Sequence, residues 1–246
     1  MKKLVIFLLA LVALTNCSSS VDTSLLTPDQ YLEYAMSLFD NEDYEQCITE
    51  FQAILLQYPG NAVNDDAQFF LGMTYFKRDQ FLLAAYEYSK LIKGIPASPF
   101  VPQAQFMLAE CYYQLSPKYP LDQAYTKKSI EEFQAFIDFF PKDEKLADAE
   151  AKIRELREKL ALKEYNSSMI YEKMEYYTAA IKYYQVVFEN YHDTKYAPMA
   201  LYKKIKLLVF RNKIGEAMSD MATFLSRYPD DENAQEIQTL EESFNK

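Results

Sequence analysis

The sequence is poor in glycine and histidine. It contains four glycines, one histidine and no tryptophan among 246 residues. So few glycines argue against glycine-rich phosphate-binding loops and hairpin-rich sheets, which use glycine for backbone conformations that other residues avoid. Because His192 is the only histidine, no Ser-His-Asp triad, Cys-His pair or HExxH zinc site can be assembled without it. We interpret His192 as a surface residue in a turn, and we expect the protein not to be an enzyme.

Acidic residues outnumber basic ones, and cysteine is scarce. The formal net charge is −10, and no local basic face is evident, so we expect no nucleic-acid partner. The three cysteines form no CxxC pair, which excludes a zinc ribbon. We interpret Cys47 and Cys111 as buried thiols, with a disulfide between them as the alternative. No cofactor or metal is expected beyond a covalent lipid on Cys17.

What the chain does contain is typical of helices packed through large side chains. Half of the residues are hydrophobic and 25% are charged, which is the composition of a folded protein. Tyrosine (21) and phenylalanine (17) are abundant. We therefore expect an all-α fold.

The N-terminus carries a targeting signal. Residues 1–16 combine two early lysines with an uncharged apolar run over 4–14, which is too short to span a bilayer and is typical of a signal peptide. The sequence that ends at Cys17 resembles a bacterial lipobox, in which the cysteine is lipidated and becomes the new N-terminus. The resemblance, with Ser rather than Asp at position 18, implies sorting to the outer membrane. Residues 17–27 would then be a lipidated tether; the alternative is an ordinary signal peptide with a nearby cysteine.

An internal repeat fills the rest of the chain. A small residue is followed four positions later by a large one and twelve positions later by a proline or its substitute, and the pattern occurs five times. The copies are Cys47, Phe51 and Pro59; Ala84, Tyr88 and Pro96; Ser129, Phe133 and Pro141; Ala180, Tyr184 and His192; and Ala217, Met221 and Pro229. A small residue lets two helices approach, a large one fills the adjacent space, and a proline ends the helix.

These offsets resemble the tetratricopeptide repeat, a pair of antiparallel helices. Further small residues, Ala35, Gly72 and Ala109, recur every 37 residues on the preceding helices. The pattern predicts an α-solenoid of five helical pairs that begins at Thr27 and Pro28. The third pair contains an inserted loop around 116–120, and the fourth contains about fourteen extra residues within 143–165, which we interpret as about four added turns of helix. We divide the body into units 1–3, residues 28–142, and units 4–5 with a last helix, residues 143–246.

In this repeat class the first helices line a concave groove. Three positions on each of the first three such helices would form an apolar, aromatic ladder for an extended peptide. They are Leu32, Met36, Phe39, Phe69, Met73, Phe76, Phe106, Glu110 and Tyr113. The alternative is that these residues belong to the core. The basic run Lys203, Lys204 and Lys206 is interpreted as a solvated helix face, with an acidic partner as the alternative.

Together the lipobox, the five units, the insertion and the long fourth pair resemble the BamD (YfiO) family of outer-membrane assembly lipoproteins. Residues 44–59 are similar to the second-helix pattern of that family, and residues 176–181 to the start of its fourth unit. The resemblance implies a scaffold on the periplasmic side of the outer membrane. Its N-terminal units would bind segments of unfolded outer-membrane proteins, and its C-terminal units would dock a BamA-like barrel protein beside other assembly subunits. Lys182 or Tyr183 stands where family members often have a basic docking residue. The alternative is another periplasmic tetratricopeptide lipoprotein that scaffolds cell-envelope or cell-wall machinery.

The lipobox leads to a direct prediction. Cys17→Ser should abolish incorporation of a labelled fatty acid and shift the protein from the membrane to the soluble fraction, because several acyl chains at about 0.8 kcal/mol per buried CH₂ supply the anchor. Ser20→Ala is the control and should be labelled normally. Labelling that survives Cys17→Ser, or an unlabelled parent protein, would favour the ordinary signal peptide.

Overall fold

The computed structural model describes residues 22–244, and over that range it is helical throughout, with no strand. A short 3₁₀ helix, Thr23–Leu25, precedes eleven α-helices. The α-helices are α1 (Pro28–Asp40), α2 (Tyr44–Gln57), α3 (Asn64–Lys77), α4 (Phe81–Gly94), α5 (Val101–Leu115), α6 (Ala124–Phe139), α7 (Leu146–Lys173), α8 (Tyr177–Asn190), α9 (Tyr196–Phe210), α10 (Ile214–Arg227) and α11 (Ala234–Phe244). Among these helices, none is both long and apolar enough to cross a membrane.

The first α-helix begins where the sequence predicted. The Thr27 side chain accepts a hydrogen bond from the Gln30 backbone N–H at 3.3 Å, and the Gln30 side chain accepts one from the Thr27 N–H at 3.0 Å. This reciprocal capping box, with Pro28 at the first helical position, satisfies two backbone donors that the helix leaves unpaired. The lipidation site Cys17, the signal peptide and most of the tether lie outside the described residues.

The five repeat copies all pack as the pattern predicts. The five small residues and the five large residues that follow them are completely buried, each at 0% relative exposure. Opposite them on the preceding helices, Ala35, Ala109 and Ser168 are also at 0%. Ser129 donates a hydrogen bond from its hydroxyl to the Ala109 carbonyl at 3.0 Å, so that contact also satisfies a buried polar group. These helical pairs confirm the predicted all-α, tetratricopeptide-like α-solenoid class.

The proline or histidine at the third position of each repeat copy stands just beyond the end of a helix. Pro59, Pro96, Pro141, His192 and Pro229 each stand two residues beyond the last helical residue. In every case the intervening residue donates its N–H to the carbonyl four residues earlier. His192 therefore occupies a helix-stop position in an exposed turn, as predicted.

Four turns within the helical pairs share one backbone motif. Glu42, Asp79, Glu175 and Asn212 adopt positive φ angles of 55–61°. In each turn the residue that follows donates its N–H to a carbonyl five residues back, which is the Schellman pattern at a helix C-terminus. The third pair lacks this tight turn because the loop predicted around 116–120 takes its place, and in the structure that loop spans 116–123.

The described residues form two compact units, the first ending at Ala67 and the second beginning at Gln68, with the boundary inside α3. In the first unit, α1 packs on α2. In the second, each helix from α4 to α11 packs on the next along the chain, and α7 also contacts α9. The division predicted near residue 142 stays a prediction.

The long helix expected in the fourth pair is α7, with 28 residues. It is fixed at its middle by Arg157, whose guanidinium donates to both Asp193 carboxylate oxygens, at 2.7 and 2.6 Å, and to the Asn190 carbonyl at 2.8 Å. Hydrogen bonding to Arg157 lowers the pKa of Asp193. This contact joins α7 to the turn that follows α8.

The glycines of this fold allow a matched stability test. A Cβ atom on Gly72 would lie 2.8 Å from the buried ring of Tyr88, whereas one on Gly215 would meet nothing within 4 Å. We expect Gly72→Ala to lower the free energy of unfolding by about 1–2 kcal/mol, because overpacking outweighs the helix propensity of alanine. Gly215→Ala should raise it by about 0.5 kcal/mol.

Urea unfolding followed by circular dichroism measures both changes. A Gly72→Ala protein as stable as the parent would show that this close approach of α3 and α4 does not require glycine.

Candidate docking surface

Exposed apolar side chains gather around one turn of the second unit. Ile170 and Met174 lie at the C-terminal end of α7, Tyr176 lies in the turn before α8, and Phe210 ends α9; their relative exposures are 55–67%. Isolated exposed apolar residues are common, but a group around one turn is typical of a surface that meets a partner. Together with Lys182 and Arg211, these four residues are called the docking surface below.

Aromatic packing holds this surface in place. The ring centroids of Tyr177 and Phe210 are 5.1 Å apart in an edge-to-face arrangement, which joins the start of α8 to the end of α9. The guanidinium of Arg211 lies 5.9 Å from the Tyr177 ring centroid, within the range of a cation–π contact. The turns before α8 and after α9 are thus held against each other.

An open pocket of about 480 Å³ lies within the docking surface. It is lined by the first residues of α8, by Glu175 and Tyr176, and by the side chains of Lys182 and Arg211. No side chain caps the N-terminus of α8, so its first backbone N–H groups add partial positive charge to the two cations. Two cations and a helix N-terminus outweigh the single carboxylate of Glu175, and the pocket therefore suits an acidic group flanked by apolar side chains.

The two units differ in their content of basic residues. Residues 22–67 include ten acidic residues and no lysine or arginine. Every cation among the described residues therefore lies in the second unit. An acidic partner segment would be repelled by the first unit and attracted to cationic surfaces of the second.

The two residues predicted for docking both lie on the exposed side of α8. Lys182 is exposed and lines the pocket. Tyr183 stacks on Tyr171, with ring centroids 4.7 Å apart and planes 14° from parallel. A hydrogen bond with Tyr171 raises the pKa of Tyr183. Tyr183 thus helps to hold α8 on α7, while Lys182 is free to meet a partner.

The predicted peptide groove is represented in the first unit by three half-buried residues, Leu32, Met36 and Phe39. Phe39 packs edge-to-face on Tyr44, with ring centroids 5.9 Å apart. The three residues share one face of α1, where the 3.6-residue period places positions 32, 36 and 39 close together.

In the second unit, two of the predicted groove residues lie in the core. Phe69 is 2% exposed and stacks on Phe100, with ring centroids 4.7 Å apart. Phe106 is 6% exposed and packs against Phe133 and Phe136. Met73 and Phe76 are half-buried. The aromatic pattern of the sequence could not separate groove from core at positions 69 and 106.

The remaining two groove residues are engaged by α7. Glu110 forms an ion pair of 3.0 Å with Lys152, whose ammonium lies 4.1 Å from the ring centroid of Tyr113. The Tyr113 hydroxyl donates to Glu155 at 2.6 Å. Burial and this carboxylate raise the pKa of Tyr113 to about 12. The groove as a whole stays a prediction.

Other singled-out residues have structural partners. Lys203, Lys204 and Lys206 on α9 each pair with a carboxylate on another helix, Glu172, Asp220 and Glu236 respectively, at 3.8, 2.8 and 2.6 Å. The basic run therefore joins helices rather than forming a free basic face. Cys47 and Cys111 are buried thiols that form no disulfide with each other, and burial raises the pKa of Cys111.

Sequence reasoning missed Arg211 and the exposed apolar residues of the docking surface. The sequence did contain a signal. Phe210 and Arg211, at the end of α9, stand one repeat length after Lys173 and Met174, at the end of α7. This spacing predicts that the two turns lie side by side only when the pairing of the helices is already known.

Curated relatives of this chain include proteins of two other bacteria. One, from Rickettsia prowazekii, is named outer membrane protein assembly factor BamD and is 27% identical over 218 residues, which cover 88% of this chain and 87% of the relative. Another protein of that name, from Caulobacter vibrioides, is 23% identical over 192 residues, covering 78% of this chain and 63% of the relative.

Solved tetratricopeptide structures also align with the chain. The protein TTC0263 of Thermus thermophilus aligns with a TM-score of 0.38 and 16% identity, covering 88% of this chain and 98% of that protein. The TPR2AB domain of yeast Sti1 aligns with a TM-score of 0.47 and 11% identity, covering 84% of this chain and 80% of that protein.

A family model, YfiO, described as an outer membrane lipoprotein, matches residues 26–211. That match spans about three quarters of the sequence, and the chain belongs to the YfiO family of outer membrane lipoproteins.

Proposed function

We propose that this chain is a non-enzymatic scaffold of the machinery that folds and inserts β-barrel proteins into the outer membrane. The names of the two curated relatives support this role. Lipid on Cys17 would hold the chain at the outer membrane with its helical body in the periplasm. The observation that carries the proposal is the docking surface, where exposed apolar side chains surround two cations at an uncapped helix N-terminus.

The docking surface fits a periplasmic domain of a BamA-like barrel protein that presents an acidic residue among apolar ones. Phe210 and Tyr176 would supply buried apolar area at the centre of such an interface, and Lys182 and Arg211 would fix its orientation. Other assembly subunits would share the remaining surfaces of the scaffold. The apolar face of α1 would contact segments of unfolded outer-membrane proteins, because a strand of alternating polarity can present one apolar side to it.

Charge reversal tests the docking of the barrel partner. The double variant Lys182→Glu and Arg211→Glu should reduce co-purification of a large barrel protein with periplasmic repeats, from detergent-solubilised membranes, by at least about tenfold, because a buried partner charge would lose its counter-charge. The double variant Lys127→Glu and Lys142→Glu makes the same change in net charge at two exposed positions outside the surface and should leave recovery unchanged.

Circular dichroism of each variant checks that the helical fold is retained. Unchanged recovery with a folded double variant would contradict the docking surface. Recovery of cell-wall enzymes instead of a barrel protein with the parent chain would favour an envelope scaffold of another kind.

Photocrosslinking tests the contact with unfolded barrel proteins. A photoreactive amino acid at Met36 should crosslink to a urea-denatured outer-membrane protein diluted into the assay, since Met36 lies on the apolar face of α1. The same amino acid at Ser37, which is exposed on another face of that helix, should give at most about a tenth of the yield. Equal yields at both positions would show that α1 does not recognise clients through this face.

A further inference from the structure

A second pocket, separate from the docking surface, lies beside the inserted loop of the third pair. Its floor is one face of α7, formed by Glu158, Lys159 and Leu162. One wall is the loop segment 118–120, and the other is the start of α9 at Lys195 and Tyr196. The space has a volume of about 410 Å³ and is open to solvent between the two walls. It shares no residue with the docking surface.

The loop wall is firmly built. The buried side chain of Gln123 donates hydrogen bonds to the carbonyls of Lys118 and Leu121, both at 3.0 Å. From α7, Lys159 donates to the Ser116 hydroxyl at 2.9 Å, and Lys163 donates to the Leu121 carbonyl at 2.6 Å. The insertion is therefore a braced element of the fold, and the pocket beside it is largely preformed.

The lining combines apolar surface with an excess of positive charge. Tyr119, Pro120, Leu162 and Tyr196 supply the apolar part. Three ammonium groups, those of Lys118, Lys159 and Lys195, stand against the single carboxylate of Glu158. The ammonium of Lys195 lies 5.2 Å from the Tyr196 ring centroid, and thus at the apolar wall. The pocket attracts an anionic group carried next to an apolar one.

The carboxylate of Glu158 is tied to the fold. It accepts a hydrogen bond from the Lys195 backbone N–H at 3.0 Å with one oxygen, which joins α7 to the start of α9. Its other oxygen, Oε2, is buried and is therefore not presented to a ligand in the pocket.

We propose that this pocket binds an extended peptide segment in which an acidic side chain adjoins an aromatic or aliphatic one. The acidic side chain meets the lysines, and the apolar side chain packs on Tyr119, Leu162 and Tyr196. A fatty acid also combines an anionic group with an apolar one, but its carboxylate stands at a chain end. Because the two walls are separate elements with open space between them, the chain passes through, and the acidic group comes from a side chain within the segment rather than from a chain end.

Fluorescence anisotropy of the full chain tests the proposal. The probe is a nine-residue labelled peptide with both ends blocked, with Phe-Glu-Leu at its centre and glycine and serine on either side. Lys195→Glu should weaken binding by at least about tenfold, and replacing the peptide glutamate with glutamine should do the same. Lys195 forms no side-chain hydrogen bond that braces the loop, so its substitution should leave the thermal unfolding temperature unchanged.

Two matched variants and two competitors make the outcome decisive. Lys127→Glu, on an exposed face of α6, and Arg211→Glu, in the docking surface, should both bind the peptide as the parent does. Equal binding of the glutamine peptide, or unchanged binding by Lys195→Glu, would overturn the proposal. So would displacement of the probe by equimolar oleate, or equal binding of a glutamate-free peptide with a free C-terminus. If Arg211→Glu binds the peptide normally, loss of peptide binding by Lys195→Glu is attributed to this pocket and is independent of the proposed docking surface.

Discussion

The fold depends on a close fit between a small residue on one helix of each pair and a large, buried residue on the other. The approach of Gly72 to Tyr88 is the tightest case, because even one added methyl group would meet the ring at 2.8 Å. The fit is local, because the apolar residues of each pair are buried largely by that pair and by its neighbours. Repeats can therefore follow one another along the chain. The five small and five large positions that set the repeat also exclude solvent completely, which is why a degenerate sequence pattern suffices to fix the helical pairing.

The pocket beside the inserted loop arises where the repeat is interrupted. The eight-residue insertion in the third pair replaces a tight Schellman turn and supplies a wall of the pocket beside α7. The extension of the fourth pair supplies the floor of the same pocket, formed by Glu158, Lys159 and Leu162 of α7. Regular pairs thus provide stability, and the departures from regularity provide features that a uniform solenoid would lack.

The sequence was sufficient for the helices, their ends and the long α7, because these depend on short spacings and on proline. It was insufficient where a residue type serves two environments. Phe69 and Phe106 stand at groove positions but lie in the core, since the aromatic rings of Phe100 and Phe133 come from elements whose packing no local pattern specifies. Glu110 and the lysines of α9 were ambiguous for the same reason: their partners, Lys152, Asp220 and Glu236, lie on other helices. Arg211 became visible only when the turns around α8 and α9 were placed side by side.

The length of α7 determines how the side-chain faces at its two ends are rotated relative to each other. The other first helices have 13–15 residues and α7 has 28, so about fourteen residues were added. Fourteen residues turn an α-helix through about 1,400°, within about 40° of four full revolutions. The added segment therefore lengthens the helix while leaving its faces almost in their former orientation, and Ser168 still points inward at 0% exposure. A change of two residues would rotate the distal half by about 200° and turn that face to solvent. Relatives that vary the length of this helix should consequently do so in steps close to whole turns.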